Sequence, residues 1–294
     1  MPWIQALLEV TQSRCETAED ALLEAGAISV TYRDAEDNPV LEPAPGETPL
    51  WENVILMGLF EAGADTQRIS QHIAEKLGTD VPVKIEQLED KDWIRAWMDD
   101  YHPMQFGKRL WICPNHLTPP QPQAVNLMLD PGLAFGTGTH PTTALCMEWL
   151  DSADVNARTV LDYGSGSGVL AIAALLLGAS HCDATDIDPQ ALEATCNNAV
   201  TNGVMGRLSV LEIGELNTQQ YDIVLANILA GPLTELAPRL ASYTRVGGQI
   251  VLSGILATQA DDILRSYSPW FDMQPVAERE EWIRITGTRR HDAD

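Results

Sequence analysis

One stretch of the chain pairs residue type and spacing in a way that points to ligand chemistry. In TVLDYGSGSG, residues 159–168, an apolar run through Leu161 and Asp162 leads into Gly164, Gly166 and Gly168, and then straight into the apolar segment VLAIAALLLGA. A strand that turns through alternating glycines into a helix lets the backbone approach a ligand lying over the carboxyl ends of the strands, where open α/β sheets bind. The dinucleotide fingerprint GxGxxG is not met, because the position its third glycine needs is Val169, and the chain has no P-loop string. Neither a nicotinamide dinucleotide nor a nucleoside triphosphate is therefore the expected ligand. Asp186, in TDIDP at the end of the next apolar run, lies 22 residues beyond Gly164. An acid at the tip of the second strand accepts hydrogen bonds from both hydroxyls of a ribose, which points to an adenosine moiety. Asp188, just ahead of Pro189, reads as a helix N-cap. Asp162 keeps two readings, receiving an α-ammonium group at the turn or satisfying backbone amides there. His140, in GTGTHPTT, also keeps two: a base or loop-shaping residue over the ligand, or a loop histidine bonded to backbone.

The elements that must hold these residues alternate. After the β segments KRLWICP and AVNLMLD come TVLDY, a helix, HCDATDI, the helix PQALEATCNNAV, LSVLE, YDIVLANIL, a helix after Pro232, GGQIVLSG, a helix around 261–266, and the closing pair WFDMQPVA and EWIRITGT. This order predicts an α/β, mostly parallel, doubly wound sheet with the last pair as an antiparallel hairpin at one edge. Upstream, WIQALLEV reads as a strand. Thr17 with Asp20 reads as a capping box opening a helix that ends at Gly26. ISVTYRD, a loop with Pro39, Pro43, Pro45 and Pro49, NVILMGLF, a helix over 66–77 stopped by Gly78, and a strand over 83–88 follow. Two split βαβ units predict a ferredoxin-like α+β sandwich. EDKDWIRAWMDDY, with Trp93 and Trp97 four apart, reads as a connecting helix that packs one stripe. The expected division is 1–91, a linker helix 92–102, and 103–294.

Composition narrows the class. The 294 residues hold 18 Lys plus Arg against 42 Asp plus Glu, a net charge of −24, with 45% apolar residues, as in an ordinary globular protein. Residues 1–100 carry 7 basic and 21 acidic side chains, net −14, so more than half of the net negative charge sits in the first third. That surface is either solvated for solubility or a face for a basic partner. The acidic balance argues against direct nucleic-acid readout, which needs a basic face. The five cysteines show no metal-ligand spacing and are expected as reduced thiols, with no metal. The longest apolar stretch falls short of a membrane span and the start lacks a signal-like pattern, so a cytoplasmic protein without a membrane partner is expected.

LDYGSGSG and the second-strand acid Asp186 resemble the class I S-adenosyl-L-methionine-dependent methyltransferases. Within that class, DPGLAFGTGTHPTT (130–143), LEDKDWIRAWMDDYHP, RLWICP, LANILAGPL (225–233) and VLSGIL (251–256) closely resemble the PrmA family, methyltransferases of large-subunit ribosomal protein L-eleven, over essentially the whole chain. The resemblance implies a seven-stranded Rossmann-like sheet behind a ferredoxin-like recognition domain, and S-adenosyl-L-methionine as cofactor. It also implies methylation of the N-terminal α-amine and lysine side chains of that ribosomal protein, free or on the ribosome; a monomer is expected. Implied cofactor contacts are Thr143, Gly164, Asp186 and Asn227, to which the turn adds Asp162, Gly166 and Gly168; Asn227 and His140 are the catalytic candidates. Thr143 would lie in the first turn of a helix opened by Pro141, where its hydroxyl and nearby amides can meet a carboxylate, while at least one of Thr139, Thr142 and Thr143 serves as a cap. Asn227 would end the fourth strand and offer its side-chain carbonyl to an amine or to the cofactor. NILA departs from the Asn-Pro-Pro-aromatic string of methyltransferases acting on nucleobase and glutamine amino groups, which leaves a flexible amine open as acceptor. Other acceptors (another ribosomal protein, RNA or a small amine) and a non-catalytic cofactor-binding adaptor are the alternatives.

Overall fold

The computed structural model describes residues 3–36, 51–79, 81–88, 101–129, 136 and 138–291. The chain forms two compact units, Met1–Ala96 and Trp97–Asp294. In the first, β1 (Trp3–Thr11), α1 (Cys15–Glu24), β2 (Ser29–Asp34), β3 (Asn53–Phe60), α2 (Thr66–Leu77) and β4 (Val83–Leu88) follow in order. The sheet runs β2-β3-β1-β4 with every pair antiparallel, as a ferredoxin-like unit requires. Alternation makes its core: Ile4, Ala6, Leu8 and Val10 of β1 with Val54, Leu56 and Phe60 of β3 are buried against Ala18 and Leu22 of α1 and Ile69 and Ile73 of α2. Asp65 caps α2 by accepting the amides of Gln67 and Arg68. The expected Thr17–Asp20 capping box is not what opens α1. A 3-10 turn over Gln12–Arg14 runs directly into the helix at Cys15, so the preceding Arg14 is already helical and Thr17 lies inside the first turn. The expected proline-rich loop and the expected connecting helix with Trp93 and Trp97 lie outside the described residues.

The second unit opens with β5 (Met104–Phe106), β6 (Leu110–Cys113) and β7 (Val125–Met128), which form a small three-stranded sheet. Then come α3 (Pro141–Ser152), β8 (Thr159–Tyr163), α4 (Val169–Leu176), β9 (His181–Asp186), α5 (Pro189–Thr201), β10 (Leu208–Glu212) and β11 (Tyr221–Asn227). α6 (Ala230–Tyr243), β12 (Thr244–Leu256), α7 (Ala260–Tyr267), β13 (Phe271–Met273), β14 (Ala277–Arg279) and β15 (Trp282–Arg289) complete it. The large sheet runs β10-β9-β8-β11-β12-β15-β13, with β14 pairing on β15. Strands β10 through β12 are parallel, and the antiparallel β15 is inserted between β12 and β13. The central strands bury both faces. Val160, Ile223, Leu225 and Val251 pack on the side of α4, while Leu161, Val224, Ala226, Ile250 and Leu252 pack on the side of α6. α6 starts at Ala230, two residues before Pro232, because a proline in the first helical turn forfeits only an amide with no intrahelical partner. The five cysteines are free thiols, and among the described residues no helix is long and apolar enough to cross a membrane.

One clamp sets the registration of the strands that carry the site. Asp222, nearly buried near the start of β11, accepts the Thr159 amide at 2.8 Å and the Thr159 hydroxyl at 3.0 Å, and pairs with Arg245 and Arg158. Removing it strands the Thr159 amide at the foot of β8. Asp222→Ala should therefore cost about 2 kcal/mol of folding stability, read by urea unfolding, and a variant as stable as the parent would show that the clamp contributes little.

Candidate functional site

The glycine turn between β8 and α4 is built by close approach. Gly164 has φ +81°, and a Cβ there would lie 2.2 Å from Cγ2 of Ile228; Gly168, with φ +77°, would place a Cβ 3.1 Å from the backbone Cα of Thr195. Helix α5 satisfies the back of the turn: the Thr195 hydroxyl donates to the Gly166 carbonyl at 3.1 Å and Asn198 Nδ2 donates to the Ser167 carbonyl at 2.8 Å. At the tip of β9, Asp186 Oδ2 accepts the Gly166 amide at 2.9 Å and Oδ1 accepts the Asp188 amide at 3.0 Å. A carboxylate offers about four lone-pair sites, so each oxygen keeps capacity for a ligand hydroxyl. Asp188 caps α5 through the Gln190 amide at 2.9 Å, as its sequence context predicts. Ile187, between the two acids, is 86% exposed and offers an apolar surface beside Asp186.

Asp162 is buried beneath this turn. Its Oδ2 accepts the Ala171 amide at 3.0 Å, while its buried Oδ1 accepts no hydrogen bond from the described residues. Both readings of this acid thus keep a footing, one oxygen serving the backbone and the other open to a donor. Burial pushes the carboxyl up to about 7, with the Asp186 charge adding to the rise and the Ala171 amide opposing it.

Across the sheet edge, the first turn of α3 meets the end of β11. His140 is the extended N-cap of α3: its Nδ1 accepts the Thr142 amide at 3.3 Å and lies 2.8 Å from the Thr142 hydroxyl. Its ring meets the Trp282 indole edge-on at 4.9 Å. Burial lowers its pKa, with Glu281 and Glu280 opposing, and the neutral ring is the form whose Nδ1 can accept from the backbone. Of its two readings, the structure shows the capping contact. Thr143 is fully buried, and its hydroxyl accepts Asn227 Nδ2 at 3.4 Å. That bond turns the amide so that the buried Oδ1 of Asn227 faces no protein donor among the described residues.

The structure thus groups Gly164, Gly166, Gly168, Asp162 and Asp186 around one turn, and His140, Thr143 and Asn227 around another; residues 130–135 and 137 of the quoted loop lie outside the described residues. Sequence reasoning passed over Thr195, Asn198 and Ser167, which hold the turn, and Gly254, where φ is +85° and a Cβ would lie 2.3 Å from the Ile228 carbonyl. The signal for Gly254 was a lone glycine inside the strand pattern VLSGIL, which marks an irregularity or a close backbone approach.

A glycine turn, a ribose-competent acid at the second strand tip and orphan acceptors on Asp162 and Asn227 fit a cofactor that carries a ribose and an ammonium group. With the antiparallel β15 set between β12 and β13 of an otherwise parallel core, they define a class I S-adenosyl-L-methionine-dependent methyltransferase. The family model described as ribosomal protein L11 methyltransferase (PrmA) matches residues 2–290. Relatives named ribosomal protein L11 methyltransferase from Pseudomonas paraeruginosa and Edwardsiella ictaluri are 56% and 55% identical, over 99% of this chain and 100% of theirs. A solved ribosomal protein L11 methylase from Lactobacillus delbrueckii subsp. bulgaricus is 34% identical with a TM-score of 0.60, covering 65% of this chain and 100% of that one. The chain belongs to the ribosomal protein L11 methyltransferase (PrmA) family, and its cofactor is S-adenosyl-L-methionine.

The buried carboxyl makes stability depend on pH in a specific sense. Asp162 titrates near 3.8 when unfolded and near 7 when folded, so between those values the folded chain binds more protons and loses stability as pH rises. Asp162→Asn should flatten the fall in unfolding free energy between about pH 4 and 7, measured by urea titration at each pH. Equal slopes for parent and variant would show that this carboxyl ionises normally.

Proposed function

We propose that the protein methylates ribosomal protein L11 on amino groups, the N-terminal α-amine and lysine side chains. Supporting the substrate are the relatives over the full chain length that carry that name. The observation that carries the acceptor chemistry is the buried Oδ1 of Asn227, which has no partner among the described residues while its own Nδ2 bonds to Thr143. On this reading Asp186 holds the ribose hydroxyls, the glycine turn admits the cofactor close to backbone, Asp162 faces the α-ammonium, and Thr143 with the first amides of α3 meets the carboxylate. The bound cofactor supplies a methyl group on a sulfonium centre, which leaves as a neutral thioether and needs no acid. Asn227 Oδ1 accepts an N–H of the uncharged amine and so aims its lone pair, since alignment is the main requirement of such a transfer. His140 acts through its cap on α3, not as the base. Proton loss from the amine precedes transfer, easily for an α-amine with a pKa of about 7.7 to 8.0, and for a lysine near 10.4 only as pH rises.

The N-terminal unit, with most of the net −14 charge of residues 1–100, is proposed as the recognition domain for a basic protein, engaged free or on the ribosome by a monomer in the cytoplasm. The same acidity supports the absence of direct nucleic-acid readout. The test supplies the full-length protein with cofactor and with ribosomes from cells lacking the enzyme, and locates added methyl groups by intact mass and peptide mapping. Methyl groups on the α-amine and lysines of L11 are expected; label confined to RNA or to another protein, or no transfer at all, overturns the reading. Asp186→Ala should weaken S-adenosyl-L-methionine binding by roughly 1.5 to 3 kcal/mol, about tenfold to a hundredfold, in calorimetry. Parent-like affinity would remove Asp186 from the cofactor site.

A further inference from the structure

Behind the glycine turn lies a set of contacts that the reading above does not use. Ser167 is 4% exposed; its hydroxyl donates to the Gly136 carbonyl at 2.8 Å, and its own carbonyl accepts Asn198 Nδ2 at 2.8 Å. Gly136 has φ +102°, and a Cβ there would lie 2.9 Å from Ser167 Oγ, so the two chains touch with no room for a side chain. Two residues on, Gly138 rests on the small sheet, where a Cβ would lie 2.5 Å from Cδ1 of Ile112 and 3.4 Å from Cζ of Phe106. His140 and Thr143 follow at once. The backing of Ser167 belongs to a longer arrangement along one side of α5 and its C-cap, where Thr195, Asn198 and the C-cap Asn202 stand three and four residues apart. Asn202 exchanges a reciprocal pair of hydrogen bonds with the backbone of Met128 at the end of β7, at 2.7 and 2.8 Å. One polar helix face thus anchors both the glycine turn and the small sheet on which Gly138 rests.

We infer that Ser167, held from behind by Asn198, is a positioning residue for cofactor binding: its hydroxyl fixes Gly136 against the glycine turn and so sets where His140 and Thr143 stand relative to Gly164–Gly168. The inference rests on the cofactor reading for the identity of the ligand, and on this chain's own contacts for the role of the hydroxyl. A hydroxyl spent on a main-chain carbonyl inside the protein acts through geometry. Its loss leaves the Gly136 carbonyl without that donor and removes the bond that ties Gly136 to the glycine turn.

The experiment measures the affinity of full-length parent, Ser167→Ala, Ser167→Thr and Asn198→Ala for S-adenosyl-L-homocysteine by calorimetry, together with ligand-free melting temperatures. Ser167→Ala should bind about tenfold more weakly, Asn198→Ala by an intermediate factor, and Ser167→Thr, which keeps the hydroxyl, within about threefold of the parent. Ligand-free melting temperatures should stay close to that of the parent. Parent-like affinity of Ser167→Ala, failure of the threonine to rescue, or affinity that merely tracks melting temperature across the series overturns the inference. Should Ser167→Ala fail to fold, Asn198→Ala decides: weakened binding at an unchanged melting temperature supports the inference, and unchanged binding overturns it. A parent that does not bind the ligand overturns the cofactor reading and this inference with it, whereas a binding parent with unaffected variants overturns this inference alone.

Discussion

Three strand ends meet at the carboxyl edge of the large sheet more closely than side chains permit, and the site depends on that approach. Ile228 follows β11 and fills the space where Gly164 at the end of β8 has no Cβ, while its own carbonyl fills the space beside Gly254 in β12. Both glycines hold positive φ, so neither place is open to an L side chain without strain. Interiors are packed too densely for such a wedge to shift without moving its neighbours. Asn227, one residue before the wedge, inherits its position from it. So does the bond to Thr143, which joins the end of β11 to the first turn of α3.

Electrostatics complete what packing begins. Asp162 and Asp186 lie on adjacent strands at the same turn, one buried and partly unpartnered, the other satisfied by two backbone amides. Burial disfavours the charge on Asp162, and the Asp186 carboxylate adds to that burden. A cationic ligand group relieves both at once, and an anionic one would worsen both. On the other side, His140 is held neutral by burial and spends its acceptor nitrogen on a helix end. In that capping geometry Nδ1 is committed to the first turn of α3.

Much of this architecture was legible because period-two and period-3.6 patterns are dictated by burial. The run TVLDY, the turn glycines and the Asp188–Pro189 cap each state a local rule that the fold obeys. Thr17 and Asp20 obeyed a local rule too, yet a 3-10 turn placed the helix start ahead of them, since backbone continuity from Gln12 outweighed the cap. The meeting of Thr143 with Asn227 spans 84 positions and follows from no spacing rule; only the resemblance pointed to it. Thr195 and Asn198 stayed invisible because their partners are carbonyls of a distant turn, and main-chain acceptors leave no trace in residue type.

The insertion of β15 between β12 and β13 also orders events in time. Residues 282–289 are synthesised after both of the strands they separate, and they bring Trp282 against His140. Until they emerge from the ribosomal tunnel, β12 has an open edge and β13 has no neighbour to pair with, so the nascent chain carries an exposed template for mispairing. The large sheet is therefore completed only once β15 is in place. A chain interrupted before Trp282 would lack the strand that joins β13 to the sheet, and with it the ring packed against His140.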